Sequence, residues 1–178
     1  MHTLYLLISN FIEGLGRTTR YLSLILVINT ALVVALRYLF NWSPIALQET
    51  MTYLHTSLFM LGAAYTLKHD GHVRVDVFYQ NMSQAKQQWV NIFGTVFFLF
   101  PTCLFVLIIS FPYVSTSWAI NEHSIESSGL PWLFLLKSLL LVQPVLLMLQ
   151  GVAEILKSVL TLKGQLPPSQ DSQPGEGV

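Results

Sequence analysis

Four long apolar runs, separated by short polar breaks, divide the sequence into candidate membrane helices. They cover about residues 21–40, 45–67, 88–110 and 131–155, and each is long enough to cross a bilayer core of about 30 Å. The break at Asn41 to Pro44 has turn-forming residues, and Pro131 is of a type favoured in the first turn of a helix. The pattern therefore predicts an all-α membrane protein with four transmembrane helices.

The first residues show a weaker helical pattern. Apolar side chains in residues 4–15 recur at helical spacing, with Ser9, Asn10 and Glu13 on the opposite face. A helix of about 12 residues is only about 18 Å long, too short to span a membrane. We expect a short amphipathic helix on the membrane surface. The alternative is that this segment extends the first span through Gly14 to Gly16.

Individual residues predict where the third helix begins and bends and where the chain leaves helical structure. Ser83 is expected to cap the third helix, Pro101 to kink it, and the stretch after Pro112 to lead into a loop. The last residues, 164–178, are rich in Pro, Gly, Ser and Gln and predict a disordered cytoplasmic tail. Residues 1–163 are expected to form one domain.

Basic residues are distributed unequally between the two ends of the predicted spans. Only Arg37 and Lys137 lie on one side. The other side carries seven, namely Arg17, Arg20, Lys68, Arg74, Lys86, Lys157 and Lys163. Because cytoplasmic segments are enriched in Lys and Arg, both termini are predicted to face the cytoplasm, with loops 41–44 and 112–130 facing outward.

Composition agrees with a membrane protein. The chain has 178 residues, of which 53% are hydrophobic and 10% charged, compared with about 25% charged in soluble domains. The formal net charge is zero, so nothing indicates nucleic acid binding. The first residues lack the basic region of a secretory signal.

Glu49 is the polar residue with the clearest functional meaning, because an ionisable group at a membrane span is costly. It lies about one turn into the second predicted span, which is too shallow for a transport site. We expect a structural or inter-subunit contact, with Arg37 as its natural partner within the chain. A proton or cation site is the alternative.

The histidines are weaker candidates for a functional site than Glu49. His55 is the only one inside a predicted span, whereas a membrane haem needs two axial ligands, so a hydrogen bond to a neighbouring helix is favoured. The spacing of His69, His72 and Asp76 could bind a metal, but no third strong ligand is near. No metal, cofactor or catalytic group is expected.

A short alternation follows the second span. Arg74 and Asp76 alternate with valines in residues 73–77. In an extended segment such residues face opposite ways, which is typical of a docking strip.

Two motifs resemble those of a known family. The run from Gln48-Glu49 through residues 59–64 to residues 72–76 resembles the small membrane subunit of tripartite ATP-independent periplasmic (TRAP) transporters, the DctQ-like small permeases. The turn at residues 126–131, Lys137 and residues 149–151 are similar to a subgroup of that family. The resemblance covers about residues 20–155.

The resemblance implies a bacterial inner-membrane scaffold and not an enzyme. Its implied partners are a large permease that carries solute and sodium ions and a periplasmic solute-binding protein, in sodium-driven uptake of an organic solute, with a carboxylate expected first. The candidate partner-interface residues are Arg37, Glu49, His72, Arg74, Asp76, Glu126 and Lys137. The alternative is a self-contained four-span carrier or a haem-binding redox subunit that uses Glu49 or His55.

Overall fold

Four long helices make up the part of the chain that the structure, a computed structural model, describes: residues 1–69, 71 and 82–165. The expected all-α class is confirmed, with no strand among those residues. The helices are α1 (His2–Phe40), α2 (Ile45–Lys68), α3 (Gln84–Ala119) and α4 (Leu133–Leu162). The predicted docking strip, with His72, Arg74 and Asp76, and the tail from residue 166 lie outside the described residues.

Three of these helices, α1, α3 and α4, are long and apolar enough to cross a membrane. Helix α2 has 24 residues, a sufficient length, but it is less apolar because it contains Glu49, His55 and several hydroxyl side chains. Length and composition therefore support three spans directly, one fewer than the four expected.

Helix α4 is the central element, since it packs against each of the other three helices. Helices α1 and α2 form an antiparallel hairpin beside it. The buried core joins Ile12 of α1, Ala64 of α2 and Leu146 of α4.

The expectation of a separate surface helix at residues 4–15 is wrong, because α1 continues without a break from His2 to Phe40. Ile12 is fully buried in the bundle. Gly16 lies against Tyr65 of α2, where an added Cβ would stand 2.0 Å from the ring Cδ2. Close packing of α1 on α2 thus outweighs the helix-weakening effect of the glycines.

Helix α3 also continues beyond its predicted end near Ser110. It passes through Pro112 to Ala119. Val114 and Ser117, which follow the proline, are both buried, and this part of α3 packs on α4. Tertiary packing therefore compensates for the hydrogen bond that proline cannot donate.

The irregularity expected from Pro101 takes the form of a π-helical turn at Thr95–Leu99. Phe100 N–H bonds to the Thr95 carbonyl, and Pro101 has no N–H for the next bond. Gly151 of α4 faces this turn, and a Cβ there would lie 2.8 Å from Leu99 Cδ2. The glycine allows α3 and α4 to meet at the turn.

Candidate functional site

The Glu49 carboxylate is held by the loop that joins α3 to α4. One oxygen, Oε1, accepts a short hydrogen bond from the Ser124 hydroxyl. The other, Oε2, accepts the backbone N–H of Leu130 at 2.6 Å. We call these residues, together with Gly129, the Glu49 clasp. It anchors α2 to the segment that leads into α4.

The loop is shaped around this carboxylate. Ser124 N–H donates to the Leu130 carbonyl at 3.2 Å, and Gly129 N–H donates to the Glu126 carbonyl at 3.0 Å. A Cβ on Gly129 would stand 2.3 Å from Ser124 Oγ and 2.7 Å from Glu49 Oε1. A side chain at this position would push Ser124 and the Glu49 carboxylate apart, which explains the glycine at position 129.

Arg37 is not the partner of Glu49, contrary to the expectation from sequence. Asn29 Nδ2 donates to the Leu47 carbonyl at 3.0 Å, which fixes the register of the α1–α2 hairpin. Arg37 lies eight residues beyond Asn29, about 12 Å further along α1, and its side chain is exposed. The offset puts the guanidinium too far along the helix to meet Glu49.

Lys137 is engaged within the chain. Its ammonium makes a short hydrogen bond to Glu122 and lies 4.1 Å from the centroid of the Tyr113 ring. That ammonium holds the pKa of the Glu122 carboxyl below its ordinary value of 4.5. Nearby, Trp118 Nε1 donates to Ser138 Oγ at 2.8 Å. These contacts fasten the end of α3 to the start of α4.

An open cleft of about 370 Å³ lies beside the clasp. Its walls combine apolar side chains with two carboxylates, and the lining residues are Glu49, Thr52, Tyr53, Ser124, Ile125, Glu126, Leu133 and Leu136. Ile125 is completely exposed, and Glu126 is also exposed. The cleft is therefore a surface feature of the loop end of the bundle.

The opposite end of α2 is fixed by a second polar group, the Glu13 cluster, which sequence reasoning missed. Glu13 Oε2 accepts from Lys68 Nζ at 2.8 Å and lies 3.0 Å from His69 Nε2. Glu13 Oε1 lies 3.3 Å from Arg17 Nε, and Lys68 also donates to the Ser9 carbonyl at 2.9 Å. The Glu13–Arg17 spacing of four residues was the only local signal of this cluster.

The middle of the bundle offers little polar chemistry by comparison. His55 is exposed and lies beside Phe59, with ring centroids 6.5 Å apart. Gln150 Nε2 donates to Glu154 Oε1 at 2.9 Å in the half of α4 furthest from the loop. Within residues 1–69, 71 and 82–165, no group of three His, Cys, Asp or Glu side chains is placed to hold a metal ion.

Comparison with known families identifies the family of the chain. The model of the DctQ component of the tripartite ATP-independent periplasmic transporters matches residues 15–161. That range includes both ends of α2, the loop that holds Glu49 and nearly all of α4. Comparisons with curated proteins and with solved structures give no match.

Proposed function

The chain belongs to the DctQ family, the small permease component of the TRAP transporters, and we propose that it acts as a scaffold for the large permease subunit. As a transporter component it is not an enzyme. The proposed assembly lies in the bacterial inner membrane. It takes up an organic solute, with a carboxylate as the first candidate, which a periplasmic binding protein delivers. Sodium coupling belongs to the large subunit, and this chain needs no cofactor.

The observation that carries this proposal is that each oxygen of the Glu49 carboxylate is bound by a donor of the same chain. Both carboxylate oxygens already accept hydrogen bonds, from Ser124 and from Leu130. An ion path needs carboxylates that can exchange their ligands, whereas a carboxylate with two fixed donors holds elements together. The Glu13 cluster does the same at the other end of α2. A bundle fixed at both ends suits a rigid support.

We further propose that all four helices cross the membrane, with both termini in the cytoplasm. Charged residues bracket the apolar middle of three helices at nearly the same spacing. The pairs are Arg17 and Arg37, Glu49 and Lys68, and Lys137 and Lys157, each about 20 residues or about 30 Å of helix apart. Helix α2 thus matches the bilayer thickness as α1 and α4 do, although it is less apolar.

The outward faces of α1 and α3 are available for contact with the large permease. Most of the large apolar side chains of α1 and α3 are exposed, including Phe97, Phe98 and Phe105, and these surfaces are available to the large permease and to lipid. Arg37 is exposed at the end of α1 and stays an interface candidate. His72, Arg74 and Asp76 also stay candidates.

The scaffold is tested by uptake in proteoliposomes that contain the large permease and either the wild-type chain or Glu49→Gln. We expect Glu49→Gln to lower the uptake rate, because the bundle loosens, while the half-saturating sodium concentration stays unchanged. A shifted sodium dependence in an intact complex would place Glu49 in the ion path and refute the scaffold. Uptake by the small chain alone would favour a self-contained carrier.

Topology is tested by labelling single cysteines in a Cys103→Ser background. We expect Ser43→Cys and Ser128→Cys to react with an impermeant maleimide from the outside of intact cells. Gln165→Cys should react only after the membrane is opened. Labelling of Ser43→Cys and Gln165→Cys from the same side would contradict four spans.

A further inference from the structure

One exposed face of α1 changes from basic to apolar along the helix. Arg17, Tyr21, Leu24 and Ile28 follow one another at steps of four and three residues, and Arg20 lies beside them. The exposed fraction is 70% for the Arg17 side chain, 67% for Tyr21, and 59% for both Leu24 and Ile28. The buried residues of α1 occupy the opposite side of the helix. We call these five residues the Arg17 face.

Positive charge is in excess at the basic end of the Arg17 face. The described residues of α1 and α2 carry three Lys or Arg side chains here, Arg17, Arg20 and Lys68, but one carboxylate, Glu13. Lys68 already binds Glu13 at 2.8 Å, whereas Arg17 Nε lies 3.3 Å from it. Arg20 forms no ion pair with a described residue. The two arginines therefore offer positive charge to an anion from outside the chain.

The apolar part of the Arg17 face has the depth of one lipid leaflet. Ile28 follows Arg17 by 11 residues, about 17 Å along the helix, and half of a bilayer core is about 15 Å thick. Tyr21 lies between the arginines and the apolar residues, and tyrosine prefers the boundary between headgroups and hydrocarbon. A free anion or an acidic peptide matches only the arginines. A molecule with a phosphate and acyl chains matches the whole face.

We propose that Arg17 and Arg20 bind the phosphate of an anionic phospholipid, whose acyl chain lies along Leu24 and Ile28. Guanidinium groups donate to two phosphate oxygens at once, and basic residues beside a membrane helix attract anionic lipids. A choline lipid carries the same phosphate, but its own cation offsets the charge, so the site selects lipids of net negative charge. This inference goes beyond the proposed function, because it requires neither the large permease nor a particular orientation of the chain.

Lipid retention by the full-length chain in detergent, measured by native mass spectrometry, tests the proposal. The probes are phosphatidylglycerol, which is anionic, and phosphatidylcholine, which is zwitterionic, at equal concentrations. We expect the wild type to retain phosphatidylglycerol about tenfold or more over phosphatidylcholine. The double variant Arg17→Gln/Arg20→Gln should lose this preference. Phosphatidylglycerol should also raise the unfolding temperature of the wild type but not of the variant.

Two controls separate a lipid site from a general effect of charge. The double variant Arg37→Gln/Lys86→Gln removes the same charge, and both side chains are exposed, but neither has a second basic residue within one helical turn. It should keep the wild-type preference. Inorganic phosphate in large excess carries the headgroup charge without the chains, and it should not displace the lipid. Without lipid, Arg17→Gln/Arg20→Gln should unfold at the wild-type temperature, because both arginines are exposed.

Several results would overturn the lipid site. They are equal retention of the two lipids by the wild type, an unchanged preference in Arg17→Gln/Arg20→Gln, an equal loss in Arg37→Gln/Lys86→Gln, and displacement of the lipid by phosphate. Absence of a lipid preference, together with loss of the large permease from Arg17→Gln/Arg20→Gln, would assign the Arg17 face to that subunit. Failure of the wild-type chain to assemble with the large permease counts against the proposed function alone, since lipid retention is measured on the chain by itself.

Discussion

Glu49 Oε2 accepts the backbone N–H of Leu130 at 2.6 Å, across 81 positions of the chain. The bond ties the start of α2 to the segment that begins α4. Because the Ser124 hydroxyl occupies the second oxygen, the carboxylate acts as a bridge between two parts of the bundle. Glu49, a carboxylate near the membrane surface, therefore has a structural role, which substitutions in the clasp can test.

Removal of the carboxylate should release the loop. In Glu49→Ala the Leu130 amide loses its acceptor, and we expect its hydrogen exchange to accelerate about tenfold or more. Hydrogen exchange, measured by mass spectrometry on peptides that cover residues 120–132, tests this expectation. Glu126→Gln is the matched control, since it removes a carboxylate from the same loop outside the clasp, and it should leave the exchange rate of Leu130 unchanged.

A change on the other side of the clasp should have the same effect. Gly129→Ala puts a methyl group within 2.7 Å of Glu49 Oε1, so the carboxylate and Ser124 must separate. Wild-type exchange rates in both Glu49→Ala and Gly129→Ala would show that the clasp does not hold the loop.

Two neighbouring glycines of α1 should respond oppositely to alanine. Gly16→Ala forces a Cβ against the Tyr65 ring, and overpacking of this kind costs about 1–3 kcal/mol. Gly14 has open space around it, so Gly14→Ala should be neutral or slightly stabilising through higher helix propensity. Thermal unfolding in detergent compares the two variants. A Gly16→Ala protein as stable as the wild type would mean that α1 and α2 are further apart than described.

The contact between Glu122 and Lys137 should make the stability of the protein depend on pH in the acidic range. The folded pKa of Glu122 lies below its ordinary value of 4.5, so its contribution is complete above that value and is lost as the pH falls through the folded pKa. We expect the unfolding temperature of the wild type to fall on acidification below about pH 4.5 by more than that of Glu122→Gln. Parallel pH profiles for the two proteins would contradict the pairing.

The Glu13 cluster should behave as a coupled unit. Lys68 is 18% exposed and bound by Glu13 and by the Ser9 carbonyl, so Lys68→Met and Glu13→Gln should each lower the unfolding temperature. The double variant should lower the unfolding temperature by less than the sum of the two single effects. Arg17→Gln should change little, because Arg17 is 70% exposed in its pair with Glu13. Additive effects of Glu13→Gln and Lys68→Met would exclude a direct interaction.

Hydropathy gave the approximate positions of the four long helices because apolar runs and polar breaks are local properties. Asn41 ends α1 in a left-handed conformation, with φ of 50°, as expected for a turn residue that tolerates it. Ser83 does occupy the N-cap position of α3, although its side chain makes no capping bond. Extension of α1 through Gly16 was only the less favoured alternative, and extension of α3 through Pro112 was not expected. Packing against Tyr65 and α4 decides both.

The candidate site was only partly predictable for the same reason. The sequence marked Glu49 as an unusual carboxylate and residues 126–131 as a distinctive turn, yet nothing local links two segments about 80 positions apart. Arg37 was the expected partner because it is near in sequence and opposite in charge. A backbone N–H and a hydroxyl instead satisfy Glu49, and every sequence contains such groups in abundance, so they leave no compositional signal.

The most direct test of the scaffold is the mass of the complex that this chain forms when it is expressed with the large permease. We expect an affinity tag on the small chain to recover the permease in mild detergent, in one particle whose mass equals the sum of the two chains. Elution of the small chain alone, with the permease folded and active in a separate fraction, would contradict it.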